Sequence, residues 1–169
     1  MSDNDLMGLI DDLERGYDGD AWHGPSLRTV LAGVTAETAS ARPIWNGHTI
    51  WEIVAHLAAW DEVVSSRIAE RRSIEAPANG DFPPVASTGT AAWSEALSEL
   101  RRQHTRLIET VSRLDEAKLQ ETVAGKGYSV EHMLRGVVQH MAYHAGQIAL
   151  MKKLADAPQA RPASPVDLG

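Results

Sequence analysis

Apolar residues recur at helical spacing in four long segments of the chain. The first segment, DLMGLIDDLERGYD, places four aliphatic residues on one face: Leu6, Leu9, Ile10 and Leu13. The second begins at a T-x-x-E capping box, in which the side chains of Thr49 and Glu52 each bond a backbone N–H at the start of a helix. This second helix is predicted to end near Arg71. The pattern therefore predicts two long helices in the first 71 residues of the chain.

The third and fourth segments have the same periodicity. Between about residues 90 and 113, the positions at helical spacing are Trp93, Leu97, Leu100, His104, Leu107, Ile108 and Val111. Ser129 is a plausible N-cap for the fourth segment, which should run to about Ala155. The sequence shows no internal repeat and no alternation typical of β-strands. These segments predict an all-α fold, an antiparallel four-helix bundle.

The segments between these helices carry turn and loop signals. Gly24-Pro25 breaks the chain after the first helix, Ser26 is a candidate N-cap for a restart, and Pro43 stops a short helical turn. The stretch SIEAPANGDFPPVASTG, between the second and third long helices, has no periodicity and is predicted to be a long loop. Gly125 and Gly127 indicate a tight turn before the last helix. We expect one domain over residues 1–155 and a flexible, proline-rich tail over residues 156–169.

Composition and charge exclude several function classes. The chain has 169 residues, 43% of them hydrophobic and 23% charged, as in an ordinary globular domain. Its net charge of -7 would repel phosphate backbones, so we expect no nucleic-acid partner. It has no cysteine and hence no thiolate ligand or nucleophile, and no apolar run of the roughly 20 residues that a membrane span needs. The N-terminus lacks the pattern of a signal peptide, so a cytoplasmic location is expected.

Three histidines fall on helix faces that should point into the bundle. At about 100° per residue, His140, His144 and Gln147 lie within one apolar stripe of the last helix. His56 lies on the stripe of the second long helix, together with Ile53, Trp60 and Val63. Three imidazoles can hold a divalent metal ion and leave a coordination position for water or substrate. The alternative is that they are hydrogen-bonded core residues, and spacing alone leaves the two interpretations evenly matched.

The combination of HTIWEIVAHLAAWDE with MLRGVVQHMAYHAGQIALMKK, together with AWHGPSLRTVLAGVTAETASARP and DFPPV, resembles the DinB family of four-helix-bundle proteins. The resemblance covers the chain from about Leu6 to Leu154. It implies that the metal ligands are His56, His140 and His144, with zinc or nickel as the metal, and that the protein forms a homodimer.

Relatives of the DinB family include bacillithiol S-transferases and a mycothiol-dependent isomerase. The resemblance therefore implies a metal-dependent enzyme that acts on a small-molecule substrate with a low-molecular-weight thiol such as bacillithiol or mycothiol. The alternative is a non-catalytic metal-binding or ligand-sensing bundle.

Four further residues are candidates for contacting substrate or supporting the metal site. His23 either contacts substrate or is an exposed or capping residue beside a packed Trp22, and the second reading is favoured. Gln147 either bonds a metal-bound water or satisfies a backbone carbonyl. Tyr143 is either a hydrogen-bond donor in the site or a packing or dimer contact, and Trp60 forms a wall of the site or part of the core.

The remaining histidines, His48, His104 and His132, are interpreted as structural or exposed. Glu52 is assigned to the capping box and not to catalysis. GKGYS lacks the spacing of a phosphate-binding loop, and no serine–histidine–acid arrangement is identifiable.

Overall fold

The computed structural model describes residues 4–156, and this range is mostly helical. In chain order the elements are α1 (Asn4–Asp18), β1 (Asp20–Ala21), β2 (Gly24–Pro25), α2 (Leu27–Leu31), α3 (Ala36–Ser40), α4 (Ile50–Glu70), α5 (Thr90–Val111), a 3₁₀ helix (Glu116–Gln120) and α6 (Val130–Asp156). The predicted all-α bundle is confirmed, with α1, α4, α5 and α6 as its four long helices. The predicted proline-rich tail lies outside the described residues, apart from Asp156 at the end of α6.

The helix starts follow from side-chain caps that the sequence largely predicts. The capping box is confirmed: Thr49 Oγ1 accepts from the Glu52 N–H at 3.1 Å, and Glu52 Oε2 accepts from the Thr49 N–H at 2.8 Å. Ser129 caps α6 by accepting from the His132 N–H at 3.2 Å. The prediction for Ser26 is wrong in one respect. It occupies the N-cap position of α2, but its hydroxyl bonds the side chain of Thr29 and no backbone N–H.

A small β-hairpin replaces the simple helix break predicted after α1. Asp20 pairs with Pro25 and Ala21 with Gly24 in antiparallel register. Gly24 adopts a φ of +122°, a value that a residue with a side chain rarely takes, so glycine suits this turn. The prediction that Trp22 packs against the fold is wrong, because its side chain is fully exposed at the hairpin tip.

The helices α4 and α5 run in the same direction, so the bundle is not antiparallel throughout. Near their N-terminal ends, the rings of Trp51 and Trp93 lie 5.1 Å apart. About ten residues further along both helices, Asp61 lies 3.1 Å from His104. The loop over residues 71–89 must therefore return the chain along the length of α4. The helix α6 runs against both, which brings its C-terminal half beside the N-terminal half of α4.

The core has two apolar clusters that meet at the middle of α6. One cluster joins the N-terminal halves of α4 and α5 to Met141, Ile148 and their neighbours on α6. The other joins α1 and the C-terminal halves of α4 and α5 to the segment of α6 that ends at Val137. Each fully buried aliphatic side chain contributes roughly 1.5–3 kcal/mol, so these clusters fix the helices firmly. Between residues 4 and 156, none of the helices has the length and apolar character that a membrane span requires.

Candidate metal centre

Three histidines meet where the two core clusters join. His56 comes from α4, and His140 and His144 come from successive turns of α6. The Nε2 atom of His140 lies 2.8 Å from Nε2 of His56 and 3.0 Å from Nε2 of His144. His56 and His144 are buried and His140 is half-buried. The three residues that the sequence predicted to face inwards are thus brought together around one point.

Hydrogen bonds to the far side of two rings fix the direction of their lone pairs. Nδ1–H of His56 donates to the backbone carbonyl oxygen of Asp81 at 2.6 Å. Nδ1–H of His144 donates to Oε1 of Gln147 at 2.7 Å. Since a neutral imidazole carries one proton, both rings hold it on Nδ1 and turn the lone pair of Nε2 towards His140. Such partners are typical of histidines that bind metals.

The surroundings lower the pKa of two of these histidines, His140 and His144. Burial, and secondarily the neighbouring His144 and His56, lower the pKa of His140 to about 4. Burial also lowers the pKa of His144, although its hydrogen bond with Gln147 opposes the shift. A metal ion binds a neutral imidazole without first displacing a proton, so the lowered pKa values of His140 and His144 favour the binding of a cation.

The arrangement fits a divalent ion held by three nitrogens. The ligand atoms that the three residues offer all lie within 4.8 Å of one another. In a tetrahedral zinc site, bonds of about 2.0–2.1 Å separate ligand nitrogens by roughly 3.3–3.4 Å, so small side-chain rotations would admit the ion. Among the described residues, no carboxylate joins this group as a further ligand atom. The remaining coordination positions are then free for water or substrate.

The long loop supplies two site residues, Asp81 and Phe82, that are not among the candidates predicted from the sequence. Phe82 stacks on His56 with ring centroids 4.2 Å apart, and on its other face it stacks on the exposed His48 at 3.5 Å. Asp81 holds His56 through its carbonyl, and its carboxylate oxygen Oδ1 accepts from the indole N–H of Trp60 at 2.8 Å. The only sequence signal for them was the DFPPV motif, because a loop without periodicity does not show which residues face the site.

Two predicted candidates, Gln147 and Trp60, contact the site. Gln147 bonds the ring of His144 and not a backbone carbonyl, and its amide nitrogen donates to the hydroxyl of Tyr143 at 3.0 Å. Trp60 forms a wall, with its ring centroid 6.3 Å from that of His56. Tyr143 is exposed, and its ring lies 5.1 Å from that of His144.

The other candidates lie outside the cluster. His23 is exposed in the β-hairpin turn, as favoured, and is not in the histidine group. Glu52 serves the capping box and pairs with Arg42 at 2.7 Å. His48 and His132 are exposed, whereas His104 is buried, stacks on Tyr17 and bonds Asp61. The interpretation of these three histidines as structural or exposed agrees with their positions.

Comparison with known proteins gives one match. A family model described as the DinB superfamily matches residues 21–148, which include all three histidines of the cluster. No curated protein and no solved structure matches the chain.

Proposed function

The chain belongs to the DinB superfamily, and from this membership and the histidine cluster we propose that it is a divalent-metal-dependent transferase that uses a low-molecular-weight thiol. The observation that carries the proposal is the convergence of three Nε2 atoms, 2.8 and 3.0 Å apart, on one point. His56, His140 and His144 would hold zinc or nickel, since imidazole suits both metals.

The residues around the cluster support a role in binding and positioning. Asp81 and Gln147 orient two of the three imidazoles, so these rings can receive the ion with little rearrangement. Phe82 and Trp60 cover the α4 side of the cluster with apolar surface, which reduces the access of bulk water. A divalent ion held there would supply Lewis acidity, which lowers the pKa of a bound thiol and so favours its nucleophilic form at neutral pH.

The first test is the metal content of the protein purified without a histidine tag. We expect close to one divalent ion per chain by mass spectrometry, and its loss in His56→Ala, His140→Ala and His144→Ala. His132→Ala is the matched control, because His132 is an exposed histidine on α6 outside the cluster. Absence of metal after reconstitution with zinc and with nickel would contradict the proposal.

The second test separates the enzyme from a non-catalytic metal-binding bundle. Bacillithiol, mycothiol, glutathione and coenzyme A are each offered with a chromogenic electrophile to the metal-loaded protein. Conjugation that requires both the metal and His140 supports the transferase. Bound metal with no conjugation by any thiol favours the sensing or structural role.

We also propose that the protein is a homodimer. Tyr143, Leu150 and Leu154 are large exposed residues at helical spacing on α6, and they form an exposed apolar stripe beside the face that carries the histidines. Leu150→Glu should convert the dimer to monomers in analytical ultracentrifugation, whereas Thr105→Glu, at an exposed position of α5 away from the stripe, should not.

A further inference from the structure

A cavity of about 320 Å³ lies between α4 and α6, directly beside the histidine cluster. His140 contributes to its wall at one end, and Arg67 and Tyr128 contribute at the other. Tyr128 lies two residues before α6 begins at Val130, and α6 rises roughly 15 Å from there to His140. Much of the wall between these ends is apolar and includes Val64, Met133 and Val137. The cavity therefore has two chemically different ends joined by apolar walls.

Arg67 is a buried cation whose protein partners are neutral. Its side chain is almost wholly buried, with 6% of the residue exposed. Within residues 4–156 its guanidinium bonds the carbonyl oxygens of Ile74 and Glu75 and the phenol of Tyr128, and it forms no ion pair with a carboxylate. A buried charge is costly unless an opposite charge or several hydrogen bonds compensate it. The carbonyl dipoles compensate the charge of Arg67 only in part, so this end of the cavity is electropositive.

Two hydrogen-bond donors at that end are free for a ligand. Nε and Nη2 of Arg67 are occupied by the loop carbonyls at 2.5–3.1 Å. Nη1 contacts only Tyr128, at the long distance of 3.4 Å. The hydroxyl proton of Tyr128 has no acceptor in the part of the chain that the structure describes. An arginine N–H and a phenol O–H side by side can both donate to one oxyanion.

We infer that this cavity binds a small organic carboxylate, with its charged group on Arg67 and Tyr128 and its apolar body along the wall towards His140. The inference rests on the proposed function, because it makes the cavity the substrate site of that metal centre. Asp61 also lines the cavity, where its carboxylate accepts from Nδ1–H of His104 at 3.1 Å. Its negative charge disfavours a second anionic group in the middle of the cavity, so a monoanion fits best.

The inference is tested first with two probes on the unmodified protein. We would titrate 3-phenylpropionate and its neutral amide into the metal-free and the zinc-loaded protein by calorimetry. We expect the carboxylate to bind at least tenfold more tightly than the amide in both forms, since Arg67 does not belong to the histidine cluster. Equal binding of the two probes would overturn the inference. Carboxylate binding that requires zinc would also overturn it, since the carboxylate would then bind the ion directly.

Variants then locate the bound carboxylate. Arg67→Gln should weaken carboxylate binding at least tenfold, and Tyr128→Phe should weaken it several-fold. Arg113→Gln is the charge-matched control, because Arg113 lines the neighbouring cavity that Arg67 also borders. We expect no more than a twofold change for this control. An equal loss in Arg113→Gln would place the anion in the neighbouring cavity and overturn the inference.

A cavity-filling variant covers the case in which Arg67→Gln does not fold. Gly136 lines the cavity, and a Cβ added there would meet no atom within 4 Å apart from its chain neighbours and the adjacent backbone of α6. Gly136→Leu should therefore be tolerated, and the better helix propensity of leucine favours α6. We expect it to abolish carboxylate binding, and unchanged binding would overturn the inference.

The zinc stoichiometry of each sample separates this inference from the proposed function. Bound zinc without carboxylate binding would overturn the inference and leave the metal centre standing. If the protein takes up no metal but binds the carboxylate in a way that depends on Arg67, the inference stands and the proposed metal centre is overturned.

Discussion

The backbone carbonyl oxygen of Asp81 lies 2.6 Å from Nδ1 of His56 and fixes the tautomer of this buried ring. The same residue accepts from the indole N–H of Trp60 through its carboxylate. The next residue, Phe82, stacks on His56. Residues 81–82 of the long loop are thus attached to α4 at His56 and at Trp60, and they hold the His56 ring from outside the bundle. The loop is therefore part of the histidine site, although none of its residues belongs to the cluster.

Loss of the Asp81 carboxylate should weaken metal binding indirectly. Asp81→Ala removes the acceptor for Trp60, so the loop and its carbonyl bond to His56 become less ordered. We expect zinc affinity to fall by about 10-fold, the lower end of the effect of residues that orient ligands. Zinc competition with a chromophoric chelator measures it. Asp81→Asn keeps an oxygen acceptor and should behave like the unmodified protein, whereas an equal loss in both variants would contradict the explanation.

The bond between Gln147 and His144 leads to a second prediction for metal affinity. Gln147→Leu removes the acceptor of the Nδ1–H at similar side-chain size, and we expect zinc to bind roughly 10–100-fold more weakly. The same chelator competition provides the measurement. Gln139→Leu makes the same substitution at an exposed position of α6 and should have no effect. If the two leucine variants bind zinc equally well, Gln147 does not orient His144.

The helices and the inward-facing histidines could be predicted because both depend on local patterns. Helical periodicity placed His56, His140 and His144 on apolar stripes, and cap residues such as Thr49 set the helix starts. Residues on one stripe share a face whatever the rest of the fold does. Local pattern therefore predicted that these histidines face the bundle interior, whereas their assignment to one set of metal ligands came from the resemblance to the DinB family.

The path of the long loop could not be predicted in the same way. Loop residues have no period, so nothing in the sequence indicated that Asp81 and Phe82 would contact the site. The parallel arrangement of α4 and α5 depends on the same loop and was missed for the same reason. Trp22 was misplaced because a large aromatic residue usually packs, whereas here a two-residue turn leaves it in solvent.

The capping box at the start of α4 should contribute measurably to stability. Thr49→Ala leaves the Glu52 N–H without its acceptor, and we expect the free energy of unfolding to fall by about 1 kcal/mol. Urea denaturation at constant pH measures the change. Thr105→Ala is the matched control, because Thr105 is exposed on α5 with no capping role, and its effect should stay within about 0.5 kcal/mol. An equal loss of stability in Thr49→Ala and Thr105→Ala would show that the capping hydrogen bond does not stabilise the protein.

The lowered pKa of His140 makes the stability of the metal-free protein depend on pH. In the unfolded chain this histidine titrates near 6.5, whereas in the folded protein its pKa is lowered to about 4 by burial and by His144 and His56. Above pH 6.5 the ring is neutral in both states. Between pH 6.5 and 4 the unfolded chain binds a proton that the folded protein does not, so acidification favours unfolding. Below pH 4 both states are protonated, and this contribution to the slope ends.

The pH dependence can be isolated by comparison with His140→Asn. Urea unfolding of both proteins in the presence of a chelator, at intervals from pH 8 to 4, gives two stability curves. Carboxylates titrate in both proteins, so their contribution largely cancels in the difference. We expect the difference in the free energy of unfolding between the two proteins to be constant above about pH 6.5. As the pH falls towards 4, the unmodified protein should lose stability relative to His140→Asn. A constant difference over the whole range would mean that His140 titrates normally in the folded protein, and that burial does not lower its pKa.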